Sequence, residues 1–523
     1  MNRTNIIVGI ILSLLFAVLL SLYWDFVLDD AFITFRYAQN LINNEGLVWN
    51  VSEDPVEGYT SFLWVVINAL FLYFHLDPVT FSKIISSLAA LVIIWILLFA
   101  SKKIDWWLVV VFVSTIALSP PFAFLTMQCM ETAITTLFIV IAAQLSLVIM
   151  SNPSKRHIIY LYGTVLLGFL SRPDTAIFNG GLILGLITMF ILKKDYKTFR
   201  IFLLVGFFFS LGSSLYIVWR FNYFGYLFPN SFYTKIVLKG GIIKSEGIEY
   251  FHSFIQNILY PYLVLIAFLL GKHLVKEKIF RIIPILLGCT FFCFYLLTVY
   301  PLQAFFWRYI FPVYPAFLLA IIAYCTDMNS GIFKLKRKWV SVGIVMFFLL
   351  FALRHLPDTF YQEKYRTQHD RVVVGKRLAG LQGVMFTTEA GALPYYSGWK
   401  AVDNFGLTSE EITHKGLSYE TLKVLNPDLI VLHYRSGGYK PIVESEKITH
   451  CYMIEHDFIA VVAVHKCFDE FHYYFVRKNS ALFQEIVKRL RYIKNLNYGY
   501  LEQLMVGQEI PYIPSKTEQK KES

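Results

Sequence analysis

Apolar runs recur along this 523-residue chain, most of them long enough to cross a lipid bilayer as a helix. A crossing takes about 20 apolar residues. Such runs lie near 6–24, 79–100, 132–150, 157–171, 174–192, 201–219, 254–271, 280–300, 306–326 and 339–353, with a shorter one at 104–119. The pattern predicts an α-helical polytopic membrane protein with about eleven transmembrane helices. Charged residues make up only 16% of the chain, where soluble domains carry about a quarter, so an ordinary soluble enzyme is excluded.

Basic clusters punctuate the runs: Lys102/Lys103, Lys155/Arg156, Lys193/Lys194/Lys197/Arg200, Lys272/Lys276/Lys278/Arg281 and Lys334/Lys336/Arg337/Lys338. The positive-inside rule places all five in the cytoplasm. They can share that side only if the short run Phe62–Leu76 lies along the outer interface as a helix that does not cross. The net charge of +11 is then an anchor to one membrane side, and nucleic acid is not an expected partner. The first run lacks a small-residue cleavage site, so it is expected to remain as a span with a cytoplasmic amino terminus. The six cysteines show no metal-ligand spacing, and no zinc site is expected.

This topology turns segments 25–61, 120–131, 172–174, 220–253, 300–308 and 354–523 outward. The misplaced polar residues all fall in them. The first outer loop, 25–61, begins "DFVLDDAFITFRYAQNL", with Asp29 and Asp30 at the head of a short amphipathic helix expected to lie on the membrane. One reading makes the pair a helix cap and a first-turn acid. The other makes them a general base, because adjacent carboxylates repel and favour uptake of a proton. Arg36 follows on the same helix, and Glu57 is a third acid close by. In "MQCMETAI", Glu131 starts a membrane helix. "LSRPDTAI" forces Arg172 and Asp174 to the outer boundary. "FPNSFYTK" carries Asn230, Tyr233 and Lys235, and Arg308 is expected one turn into a span, where an unpaired charge is costly. Cations at headgroup depth suit a lipid-linked phosphate, which arginine forks bind bidentately.

Together, "DDAFITFRYAQNL…EGLVWN…PVEGYTSFLW", "MQCMETAI", "SRPD", "FPNSFYTK" and "AGALPYYSGWKAVDNFGLTSEEI" resemble the GT-C superfamily of multi-spanning glycosyltransferases. The nearest type is the terminal β-1,2-arabinofuranosyltransferase of bacterial cell-wall synthesis. The resemblance runs from about residue 25 to 415. It implies a bacterial inner-membrane enzyme that takes a sugar from a polyprenyl-phosphate donor and passes it, with inversion, to a glycan or lipid-linked acceptor. Asp29, with Asp30 as companion, is the implied base. Arg36, Arg172, Lys235 and Arg308 are the implied phosphate holders, with Glu57, Glu131, Asp174, Asn230 and Tyr233 also at the substrate. The superfamily often has Asp-Glu where this chain has Asp-Asp. Some members use a divalent cation; none is expected here, nor any other cofactor. The rival readings are a flippase of lipid-linked sugars and a surface-polysaccharide polymerase or ligase. The one-sided placement of the charges, with no internal repeat, favours the transferase.

The expected division is a transmembrane catalytic module over 1–353, a small extracytoplasmic α/β domain over 354–480, and a basic amphipathic stretch with a disordered tail over 481–523. "GVMFTTEAGALPYYSG" and "PDLIVLHYR" read as buried strands leading into loops or helices, and "CYMIEHDFIAVVAVHKC" as a hairpin. Gly391, Tyr396, Asp403 and Gly406 fit the resemblance but are read as structural. Cys451 and Cys467 are open to two readings, a disulfide in an oxidising exterior or a pair of buried thiols.

Overall fold

The computed structural model describes residues 3–101, 104, 106–236, 245–263, 276–298, 305–326, 338–366, 369–435, 444–467, 470–490 and 508–509. Its first helices are, in chain order, α1 (Arg3–Leu22), α2 (Asp29–Ile42), α3 (Phe62–Tyr73), α4 (Pro78–Ala100), α5 (Trp106–Ala117), α6 (Pro120–Met127), α7 (Thr132–Ser151), α8 (Lys155–Ser171), α9 (Thr175–Leu192), α10 (Tyr196–Phe224) and the short α11 (Asn230–Ile236). The chain divides into two units that do not follow sequence order. One comprises Met1–Val27, Thr60–Leu227 and Lys235–Lys364; the other comprises Leu28–Tyr59, Phe228–Thr234 and Tyr365–Ser523. The first outer loop, expected with the transmembrane module, thus clusters with the carboxyl-terminal domain.

The first unit is helical. Seven of its helices are long and apolar enough to cross a membrane, and α5 with α6 makes an eighth if that pair, bent by 41°, counts as one span. These are the spans among the described residues, against about eleven expected of the whole chain. The bend sits where Pro120 starts α6 and the Ser119 hydroxyl accepts the Phe122 N–H at 3.3 Å, so helix ends and helix restarts within two residues. The sequence turns residues 120–131 outward; α6 occupies the first part of that segment. Helix α3 spans only about 18 Å by its 12 residues, short of a crossing. The run 306–326 contains a helix only from Tyr314 to Thr326, and part of the run 254–271 lies outside the described residues. Helix α9 packs closely on the helix Lys276–Thr298 through small residues. A Cβ on Gly185 would lie 2.5 Å from Pro284 Cα, and one on Gly288 2.8 Å from the Phe178 carbonyl.

The second unit is built on a mixed sheet of β1 (Val384–Thr387), β2 (Lys400–Asp403), β3 (Leu429–Arg435), β4 (Phe458–Cys467), β5 (Glu470–Arg477) and the two-residue β6 (Gln508–Glu509), in the order β2-β1-β3-β5-β4-β6. β1 is parallel to both neighbours, and β3, β5, β4 and β6 pair antiparallel. The helix Ala392–Ser397 crosses from β1 to β2, and helices Glu410–Lys415 and Tyr419–Leu425 return the chain to β3. One face buries Phe386, Ile430, Leu432 and Phe475 against Leu422, Tyr452 and Met453. Because β1 sends its connection to one side and receives β3 on the other, the carboxyl ends of β1, β2 and β3 form a topological switch point.

Three expectations about this region are corrected. "CYMIEHDFIAVVAVHKC" is not a hairpin: Cys451–Glu455 closes a helix (Glu444–Glu455), the chain turns at Asp457 (φ 54°), and only β4 follows. The hairpin is β4–β5. Cys451 is a free, exposed thiol, so the disulfide reading fails there, and the Cys467 side chain lies outside the described residues. The helix Phe483–Leu490 buries Ile486 and Leu490 fully, while Arg489 donates to the carbonyls of Arg377 and Ala379; its apolar face is used within the unit and not on lipid. The expected disordered tail lies outside the described residues.

Candidate functional site

Helix α2 is not a surface helix. Ala31, Phe32, Ile33, Phe35, Tyr37 and Ala38 are all buried, and so are Thr34, Arg36 and Asn40. Nor do the acids cap it. Leu28 is the N-cap residue and Asp29 and Asp30 occupy the first turn, where their charge still complements the helix dipole.

Asp29 has a demanding set of partners. Its Oδ2 accepts the Gly391 N–H at 2.9 Å and its Oδ1 the Ala392 N–H at 2.9 Å, both at the start of the helix Ala392–Ser397. The Arg371 guanidinium stands 3.2 Å from Oδ1 and also pairs with Glu389. Glu389 in turn meets His433 Nδ1 at 3.1 Å. Asp29 is buried, with both carboxylate oxygens engaged. Asp30 differs. It is partly exposed, and among the described residues its carboxylate has no hydrogen-bond or ion-pair partner.

Asp403, at the carboxyl end of β2, is buried and receives the N–H of Phe405 at 3.0 Å and of Leu407 at 2.6 Å. Burial pushes its carboxyl up from near 3.8 to about 7. The two N–H groups oppose that rise, and the negative charge of Asp30 adds to it. Gly406 follows with φ 79°, a conformation that suits glycine, and a Cβ there would press on Thr413.

Arg36, expected to hold phosphate, is instead spent on the fold. It donates to the carbonyls of Trp49 (2.8 Å), Pro394 (2.9 Å) and Trp399 (2.8 Å) and to Asn50 Oδ1 (3.0 Å), and lies 4.4 Å over the Trp49 ring. Burial lowers it to about 10, against the pull of Tyr37 and Glu53, so it stays cationic at neutral pH. Glu57 is buried and its carbonyl accepts the Asn230 N–H at 3.1 Å; the Asn230 side chain reaches the Gly406 carbonyl at 3.4 Å. The Tyr233 ring lies 4.9 Å from the His414 ring, tilted by 59°. The Lys235 side chain lies outside the described residues.

The first unit holds its own cluster. Glu131 and Asp174 sit at the N-cap positions of α7 and α9, yet neither side chain caps. Both turn to Arg172, which Asp174 grips through two hydrogen bonds and Glu131 approaches at 3.9 Å. Burial works against the Arg172 charge, but Asp174 and Glu131 outweigh it and raise its pKa above the ordinary arginine value. Arg172 and Arg308 both face the Tyr309 ring, at 5.9 and 5.3 Å. Arg308 precedes its helix instead of lying one turn within it. It follows a short 3-10 turn (Phe305–Trp307) in which Phe306 and Trp307 take φ of 50° and 56°. It is 8% exposed, and its Nη1 is buried without a hydrogen-bond partner among the described residues. A buried, unsatisfied guanidinium nitrogen is the kind of donor that an anionic ligand completes.

Arg371, Glu389 and His433 escaped the sequence reading. No motif spacing links them, since the loops after β1 and the strand β3 join them only in the folded unit. Among the described residues, no group of three or more His, Cys, Asp or Glu side chains could hold a metal ion.

Residues 358–480 match a family model described as a domain of unknown function (DUF8728). No protein of curated function matches the chain. Among solved structures, ArnT from Cupriavidus metallidurans bound to undecaprenyl phosphate is similar at 9% identity and a TM-score of 0.58, covering 90% of this chain and 98% of that one. The same protein in the apo state is similar at 10% identity and a TM-score of 0.54, covering 89% and 97%. The chain therefore shares the fold of ArnT; its likeness to the arabinofuranosyltransferase type rests on the motifs alone.

Proposed function

We propose that this multi-pass membrane protein is a glycosyltransferase that moves a sugar from a polyprenyl-phosphate donor to a cell-envelope acceptor at the outer face of a bacterial inner membrane. The observation that carries the proposal is the fold likeness over nine-tenths of the chain to a protein seen with undecaprenyl phosphate. In this reading Asp30 is the general base. Among the described residues its carboxylate is the unpartnered one of the adjacent pair, whereas Asp29 is occupied by Gly391, Ala392 and Arg371. Asp30 takes the proton of an acceptor hydroxyl as that oxygen attacks the anomeric carbon. The bond from that carbon to the phosphate oxygen breaks, and polyprenyl phosphate leaves with the electron pair, inverting the anomeric centre. Within the first unit, taken by itself, Arg308 with its unsatisfied Nη1 and Arg172, which faces the same Tyr309 ring, are the groups suited to hold a lipid-linked phosphate.

The test uses membranes containing the full chain, a radiolabelled polyprenyl-phosphate sugar and an envelope extract. Label is expected to pass from the lipid to the acceptor fraction with release of polyprenyl phosphate. Label that stays on the lipid but appears on the opposite leaflet of sealed vesicles would replace the transferase by a flippase.

A further inference from the structure

The domain over 358–480 carries no assigned function, yet its residues converge on one helix of the first outer loop. Asp29 is held by the Gly391 and Ala392 N–H groups and by Arg371. Arg36, two turns on, is tied to the carbonyls of Pro394 and Trp399. After the helix, the Trp49 indole N–H and the Asn50 amide both donate to the Ala401 carbonyl, at 2.8 and 3.0 Å, and Asn50 Oδ1 accepts the Ala401 N–H at 3.0 Å. The first turn of α2 thus meets the loop that follows β1, at the switch point where an open α/β sheet ordinarily receives a ligand.

We infer that this domain is the holder of the base-bearing helix, and that Arg371 and Gly391 are positioning residues for the reaction that act through Asp29. The inference rests on the assignment of Asp30 as base. Two features make the hold specific. A Cβ at position 391 would lie 2.5 Å from the Asp29 carboxyl carbon, so only glycine lets the backbone N–H reach the carboxylate. Arg371 is itself buried and fixed from its other side by Glu389, whose N–H is accepted by the Thr387 hydroxyl and whose carboxylate meets His433, itself in contact with the Thr388 hydroxyl. With Asp29 fixed at both oxygens, the next residue of the same turn has its direction set, and Asp30 is presented without a partner of its own.

The experiment compares Gly391→Ala, Arg371→Gln, Asp29→Asn and the double variant Asp29→Asn/Arg371→Gln in the full chain. Transfer kinetics are measured alongside amide hydrogen exchange of α2. Each single variant is expected to lower kcat about 100-fold, the usual consequence of a small misplacement, with the donor KM unchanged. Exchange protection of α2 should fall while that of β3 and β5 in the same unit persists, which shows that the second unit is still folded. Because Arg371 acts through Asp29, the double variant should be no worse than the weaker single by more than about threefold. Unaltered kcat in Gly391→Ala and Arg371→Gln, unaltered protection of α2, or multiplied losses in the double variant would each overturn the inference. Asp30→Asn separates the two readings: full transfer by that variant defeats the base assignment, while the exchange of α2 still reports on the hold.

Discussion

Arg36 donates its Nε–H to the carbonyl of Trp49 at 2.8 Å while its guanidinium lies 4.4 Å over the ring of the same residue. Hydrogen bond and ring contact together make it a joint between α2 and the segment that follows. Arg36→Lys keeps the charge but loses the planar fork, leaving carbonyls of Pro394 and Trp399 without donors. A loss of about 3 kcal/mol of stability is expected, with the donor KM unmoved in whatever folds. Thermal unfolding in detergent, read beside transfer kinetics, checks it; a raised KM with unchanged stability would return Arg36 to the phosphate.

Asp30→Asn is expected to lower kcat by about 100-fold to 10,000-fold, the range typical of a lost general base, and to leave donor binding intact. Transfer from labelled donor, with binding measured separately by competition with polyprenyl phosphate, distinguishes the two effects.

Arg308 and Arg172 should separate under substitution. Arg308→Gln removes a donor aimed at an anion and is expected to weaken donor binding about tenfold or more. Arg172→Gln strands the carboxylates of Glu131 and Asp174 without a counter-ion, and about 3 kcal/mol or more of stability should go with it. If Arg172→Gln proves as stable as the parent while binding donor poorly, the phosphate contact belongs to Arg172.

Asp403 gives a pH dependence of unusual sign. Its folded value of about 7 lies above its ordinary value near 3.8, so the folded chain holds this proton more tightly than the unfolded one. The contribution is therefore fully present below about pH 4 and is lost as pH rises towards 7, on the order of 4 kcal/mol if the whole shift is realised. Asp403→Asn should flatten the stability of the second unit across that window. Unfolding midpoints measured from pH 4 to 8 test it, and an unchanged slope would show that Asp403 ionises freely.

How much of this was legible in the sequence depends on how far apart the partners are. The span-length runs and the helix from Asp29 onward follow from local hydropathy and period, and the strands "VMFT" and "LIVLHYR" from their β-branched character. The role of Arg36 did not follow, because three of its acceptors come from residues 394 and 399 or from a loop whose path hydropathy does not set. A lone arginine on an amphipathic stretch looks like a headgroup binder until its carbonyl partners are in view. The segment 451–467 failed for another reason. Short apolar runs suit helix and strand alike, and the packing of Tyr452 and Met453 onto the sheet decided for helix. Arg172 with Asp174 was legible since only Pro173 separates them; Glu131 joined only through the packing of α7 beside α8.

The residues that hold Asp29 lie 362 and 363 positions later in the chain. A ribosome adding about 5–20 residues per second makes Asp29 some 20–70 s before Gly391 exists. Throughout that interval the α2 carboxylate and the Arg36 guanidinium have been synthesised, but their final acceptors and donors have not. The second unit can therefore close around α2 only after residue 392 has been made, so the order of the first outer loop depends on chain synthesised long after it.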